Sequence, residues 1–179
     1  MDKSRWKDFE LLFGDRGACG GCWCMAWRLR AKEFQIQKGA ANKLAMKEII
    51  DSNEIPGIIG YINDKPVGWC SVAPRDKFIK LGNSRVLAKI DDKPVWSITC
   101  LFIAKAYRKQ GLSSELLKGV IKFCREKKVK ILEAYPMEPY SNNIPAAFAW
   151  TGIPSSFEKA GFKVVERRSP KRPIMRYYL

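Results

Sequence analysis

Residues Val95–Cys124, VWSITCLFIAKAYRKQGLSSELLKGVIKFC, constrain the fold more than any other stretch of the chain. Val95–Ala104 is an apolar run rich in strand-favouring residues, and both of its alternating faces are apolar, as in a strand buried from two sides. A basic turn with one glycine follows, Tyr107 through Gly111, and Ser113 and Ser114 open a helix. Leu112, Leu116, Leu117, Val120, Ile121 and Cys124 recur at three- and four-residue spacing, so that helix has one apolar face. Strand, turn and helix start together make a phosphate site. The first amides of a helix lack internal partners, and the helix dipole is positive there. Gly111 lets the backbone approach an anion closely, and Arg108 and Lys109 add charge.

The rest of the chain falls into order around this unit. Residues 7–13, KDFELLF, read as a short first strand. A loop dense in Gly, Cys and Trp runs into a helix near Met25–Phe34. A second helix covers Ala41–Asp51, with Leu44, Ala45, Ile49 and Ile50 toward the core. Ile55–Ile62 and Pro66–Ala73 form a hairpin around Asn63, Asp64 and Lys65. Residues 74–94 are a charged excursion with a short helix. Lys128–Pro136 is a strand, and Met137–Pro154 is a long segment bearing Pro and Asn. Ser155–Ala160 is a helix capped by Gly161, and Phe162–Arg168 and Ile174–Leu179 are final strands. The expected architecture is α/β, a mixed central sheet flanked by helices in the order β-α-α-β-β-β-α-β-α-β-β. Residues 1–179 are expected to form one domain.

Arg108-Lys109-Gln110-Gly111-Leu112-Ser113 resembles the acetyl-CoA motif of the GNAT acetyltransferases, Arg/Gln-x-x-Gly-x-Gly/Ala, with Ser113 as the last small residue. Phe157 through Phe162 resembles the family's C-terminal signature Tyr-x-x-x-Gly-Phe, and the element order resembles the family's over most of the chain. The resemblance implies an N-acetyltransferase with acetyl-CoA as co-substrate and a primary amine, on a small molecule or a peptide, as acceptor. It implies that pantetheine pairs with the backbone of Leu101, Phe102 and Ile103. It implies that the pyrophosphate sits on Arg108, Lys109, Gln110, Gly111, Leu112, Ser113 and Ser114. Ser113 departs mildly from the motif's Gly or Ala, and two further positions depart from the family. The usual tyrosine acid is Phe157, and the usual glutamate of the central strand is Ser97. Tyr135, Ser155, Ser156, Tyr140 or a water are the candidate acids, with Tyr135 preferred. A CoA thiol is itself a fairly stable anion near neutral pH, so loss of the acid need not abolish turnover. Glu133, between apolar Leu132 and Ala134, is the candidate base, because desolvation raises a carboxylate's pKa. The other reading of Glu133 is an exposed or lysine-paired carboxylate.

Cys19, Cys22 and Cys24 form a C-x-x-C-x-C run. Structural zinc takes four ligands, and only three are local; Cys70 or Cys100 would have to supply the fourth. The preferred reading is that no metal binds and that Trp23 and Trp27 wall the acceptor site. A loop packed for structure alone is the alternative. The chain has no histidine, which excludes Ser-His-Asp and Cys-His nucleophilic schemes.

Lys plus Arg number 33 against 18 Asp plus Glu, a net charge of +15, which predicts attraction to polyanions such as CoA or nucleic acid. The basic run Arg167, Arg168, Lys171, Arg172 and Arg176 reads as a solvated hairpin rather than a nucleic-acid patch, since no spaced aromatic motif accompanies it. No apolar run approaches the ~20 residues of a membrane span. The N-terminus lacks the apolar core of a signal peptide, so a cytoplasmic protein with reduced thiols is expected. A homodimer stays open. Two other classes compete with an enzyme: a CoA-binding sensor without catalysis, favoured by Phe157 and Ser97, and a basic protein acting on ribosomal or RNA-bound partners.

Overall fold

The computed structural model describes residues 1–140 and 149–179. Six strands form one sheet in the order β1-β2-β3-β4-β6-β5: β1 Gly57–Ile62, β2 Lys65–Pro74, β3 Trp96–Ile103, β4 Ile131–Ala134, β5 Lys163–Glu166 and β6 Ile174–Tyr178. Among the described residues β3 and β4 alone pair in parallel, and the other neighbours are antiparallel. The helices are α1 Trp6–Phe13, α2 Ala31–Ile36, α3 Ala40–Asp51, α4 Ile79–Gly82, α5 Leu112–Glu126 and α6 Pro154–Lys159. The mixed sheet flanked by helices is the expected fold class. The expected hairpin is also present, closed by Asn63 and Asp64, both at positive φ as a two-residue type I′ turn needs.

One element differs in kind. Residues 7–13 belong to helix α1, not to a strand. Phe9, Leu12 and Phe13 are its buried residues, a spacing of three and four, while Leu11 is exposed. A short apolar run satisfies either period, and the start decides here. The Asp2 side chain accepts from Ser4 N and opens a helical turn that runs into α1. The helix expected at Met25–Phe34 begins later, at Ala31. In α3 the buried side is Asn42, Met46 and Ile50, and Leu44 faces solvent. Of the segment Met137–Pro154, residues 141–148 lie outside the described residues.

Alternation along the strands builds two layers. In β2, Trp69 packs with Phe9, Phe13, Met46 and Ile50 of α1 and α3, while Cys70 packs with Leu117, Val120 and Ile121 of α5 on the other face. Full burial of each such aliphatic side chain is worth roughly 1.5–3 kcal/mol, and α5 buries four of them besides Cys124.

The central strand is interrupted at one residue. Ser71 pairs with Cys100 and Val72 with Ile98, so Thr99 is an extra, unpaired residue in β3. Such a bulge bends its strand. The parallel pairing with β4 ends at the same level, at Ile98 with Ala134. From Thr99 onward β3 leaves β4, and the sheet opens into a V.

Candidate active site

The loop after β3 has the form of an anion site. Lys105–Tyr107 make one tight turn and Arg108 is extended. Lys109 and Gly111 both have positive φ, 63° and 76°. Gly111 is the N-cap of the fifteen-residue helix α5, and no side chain caps that end. A Cβ at Gly111 would meet nothing within 4 Å, so the backbone faces open space. Ser114 N donates to Gly111 O at 3.0 Å, which leaves the Leu112 and Ser113 amides for an outside acceptor. Arg108 braces the loop: its Nε donates to Ile103 O at 2.7 Å and its guanidinium lies 5.8 Å from the Phe102 ring centre. Ser114 Oγ donates to Ser156 O and ties the helix start to α6. This half offers backbone amides and positive charge to an anion.

The V itself is bridged by the chain. Leu101 N donates to Trp150 O at 2.7 Å, and Met137 N, just beyond β4, donates to Gly152 O at 3.0 Å. Thr99 is 1% exposed and its Oγ has no partner among the described residues.

Next to the base of the V lies a buried polar network. Glu133 Oε1 accepts from Arg75 Nη1 at 3.1 Å and from the Tyr135 hydroxyl at 2.7 Å, and Oε2 accepts from Arg176 Nε at 2.8 Å. Arg176 also forks onto Asp91 at 2.7 and 3.0 Å. Arg75 bonds Tyr135 and the carbonyls of Leu81 and Leu87, and Ser97 Oγ lies 2.8 Å from the Tyr135 hydroxyl. Glu133 is 1% exposed. Burial, helped by the Glu133 charge, pushes the Tyr135 hydroxyl well up. The expected proton roles meet an unsuitable geometry. Three donors engage Glu133 where a base needs lone pairs turned to the acceptor. The Tyr135 hydroxyl donates its hydrogen bond to Glu133 and keeps its proton. Arg75 and Asp91 were not singled out in the sequence, and Arg176, expected in a solvated hairpin, is instead 3% exposed and bonded to Glu133 and Asp91; the available signal was a charge set inside or beside apolar strand runs.

A family model described as "Acetyltransferase (GNAT) family" matches residues 23–149. The chain belongs to the GNAT acetyltransferase family. Among solved structures, this GNAT chain is similar to the PaiA N-acetyltransferase of Thermoplasma acidophilum in complex with coenzyme A, with 16% identity, TM-score 0.53 and coverage of 100% of this chain and 96% of that one. It is similar to the ribosomal-protein-alanine N-acetyltransferase of Brucella melitensis, with 16% identity, TM-score 0.54 and coverage of 100% and 97%. It is also similar to the aminoglycoside acetyltransferase AAC(6′)-Ib in complex with coenzyme A, with 17% identity, TM-score 0.52 and coverage of 99% and 91%. At these identities the likeness is one of fold. No curated protein matches the chain in sequence.

The cysteine loop of this GNAT domain runs from the surface into the core, which Trp23 and Cys24 join. Trp23 is 4% exposed, stacks on Phe13 at 5.7 Å and carries Lys43 Nζ 5.1 Å from its ring centre. A Cβ at Gly17 would fall 2.4 Å from Trp23 Nε1, so the loop closes tightly on the indole. Trp23 is therefore not an acceptor wall. Trp27 is half-buried, 5.9 Å from Trp150, at the rim of the V. Cys19 is exposed, Cys22 half-buried and Cys24 buried, and among the described residues no three His, Cys, Asp or Glu groups are arranged to hold a metal. Cys24 accepts from Trp69 Nε1 at 3.0 Å. Burial pushes its thiol up, but Cys100, Trp69, Arg28 and Ser71 outweigh that and bring it down to about 7. Cys22 is pushed up to about 11 by burial and by Cys24. Cys24 and Trp23 both have positive φ, 61° and 43°, an uncommon pair for side-chain-bearing residues.

Phe157, at the family's tyrosine position, is fully buried and meets Phe162 edge-on at 5.2 Å. A Cβ at Gly152 would lie 2.6 Å from Phe157 Cε2, 3.3 Å from its Cζ and 2.9 Å from Leu101 Cδ1. The Phe157 ring edge therefore packs directly on Gly152, and a hydroxyl at Cζ would be added to a fully buried, closely packed ring.

Proposed function

We propose that this GNAT acetyltransferase uses residues 1–179 as one catalytic unit that moves the acetyl group of acetyl-CoA to a primary amine on a small molecule or peptide. Family membership supplies the reaction class and the co-substrate. The observation that carries the site is the uncapped start of α5 behind Lys109 and Gly111, at the end of the strand that leaves the sheet. Bound acetyl-CoA contributes an activated thioester. The amides of Leu112 and Ser113 hold its phosphates, with charge from Lys109, and the β3 edge from Leu101 to Ile103, where Leu101 N now meets Trp150 O, orients the pantetheine. Trp27 lines the acceptor side. Glu133 and Tyr135 act as positioning residues that fix β3 against β4 and β6, and the acceptor's proton leaves through water. A reducing compartment, the cytoplasm, suits six free cysteines. A panel of amines with thiol release as the signal tests this reading: one acceptor should turn over, and Gly111→Val should lower kcat/KM at least about tenfold.

A CoA-binding sensor is the second reading. Phe157 offers no acid, and residues 150–152 lie in the V. CoA binding without turnover on any amine would favour it.

A further inference from the structure

The expected pantetheine edge of β3 is already in use. Leu101 N donates to Trp150 O, and Arg108 Nε donates to Ile103 O. On the far arm of the V, Met137 N donates to Gly152 O. Trp150, Thr151 and Gly152 therefore span the opening as a turn, closed by Gly152 N donating to Ala149 O at 2.8 Å, with one hydrogen bond to each arm. Each residue is held by more than its backbone. Trp150 packs on Trp27 and joins the cluster containing Trp69 and Cys100. Thr151 is 2% exposed, and its Oγ1 accepts from Arg172 Nη1 at 3.3 Å. Gly152 has φ 79° and lies against Leu101 and Phe157 so closely that no Cβ fits.

We infer that Trp150–Gly152 is a built-in competitor for the pantetheine arm, occupying the edge of β3 until CoA displaces it. This inference rests on the reading of Arg108–Ser114 as the phosphate loop and adds a conformational step to it. The phosphates dock first, because the α5 end is open, and the arm enters only when the bridge leaves. Phe157 belongs to the device: its ring edge and Leu101 pack against Gly152 from two sides, where a Cβ would lie 2.6 Å from Phe157 Cε2 and 2.9 Å from Leu101 Cδ1. A tyrosine hydroxyl at that position would push the bridge out.

The arithmetic is that of a binding-competent fraction. If about a tenth of the molecules have the bridge out, the apparent Kd is about tenfold above the intrinsic one, and loosening the bridge recovers that factor. The test is calorimetry and stopped-flow with CoA on wild type, Trp150→Ala, Thr151→Val, Phe157→Tyr and Gly111→Val, with hydrogen exchange on wild type. Circular dichroism selects the folded variants, and Thr151→Val and Phe157→Tyr stand in if Trp150→Ala does not fold.

The inference expects CoA to bind the bridge variants several-fold to tenfold tighter. It expects a wild-type binding rate that saturates with CoA concentration, and faster exchange of the Met137 amide once CoA is bound. Unchanged or weaker binding in all folded bridge variants overturns it, as does a slower Met137 amide in the complex. The two readings fail separately. Wild-type binding that Gly111→Val leaves intact rejects the phosphate loop. Binding that Gly111→Val weakens, with no effect of the bridge variants, rejects the bridge alone. Absence of CoA binding in every folded protein rejects both.

Discussion

At the residue scale, Glu133 shows how environment overrides residue type. The sequence places a carboxylate among apolar neighbours, which reads equally as a tuned base or a buried ion. The deciding partners, Arg75 and Arg176, lie 58 and 43 residues away in sequence and meet Glu133 only because β2, β4 and β6 share one sheet. Glu133→Gln leaves two arginines facing a neutral group, and removal of one partner from a buried ion pair costs about 3–5 kcal/mol. Urea unfolding should show a loss of that order, and a loss below about 1 kcal/mol would return Glu133 to the list of candidate bases. Cys24 gives a second prediction at this scale. Its folded pKa lies below the ordinary thiol value, so the thiolate is favoured by folding. That contribution is present above the unfolded pKa and is lost as pH falls through about 7. The stability gap between wild type and Cys24→Ala should therefore widen as pH rises from 7 to 9. A gap that is flat or narrows over this range would show a neutral, purely packed thiol.

At the element scale, the strand-loop-helix at 95–124 was legible because local chemistry fixes it: a two-sided apolar strand, a glycine at positive φ and a long amphipathic helix. Helix α1 was not, because seven residues with apolar positions at 9, 11, 12 and 13 fit both periods and the capping Asp2 lies outside them. The bulge at Thr99 was also hidden, since it exists only in the register between β2 and β3. Trp23 misled for a related reason: a tryptophan beside glycines looks like a pocket wall until Phe13 of α1 stacks on it. The bulge carries its own prediction. An unpartnered buried hydroxyl costs about 1–3 kcal/mol, and valine keeps the β-branched shape. Thr99→Val should raise stability by roughly 1 kcal/mol in thermal or urea unfolding. A loss instead would mean that the hydroxyl has a partner in solution.

At the scale of the whole molecule, the two layers divide the work. The α5 layer presents one end of a long helix to an anion, and the layer of α1, α3 and the cysteine loop builds a tryptophan-rich core up to the rim of the V. No helix among the described residues is long and apolar enough to cross a membrane. The net charge of +15 favours encounter with a polyanionic ligand, so CoA association should slow steeply as salt is raised. A rate independent of salt between low and physiological ionic strength would remove steering from the account. The claim on which all of this depends is that the loop ending at Gly111 holds CoA. A calorimetric titration of CoA into wild type and Gly111→Val tests it most directly. Wild type should bind one CoA per chain and the variant at least about tenfold more weakly, because a side chain at that left-handed, open position strains the loop and blocks backbone approach. Equal affinity in the two proteins would contradict it.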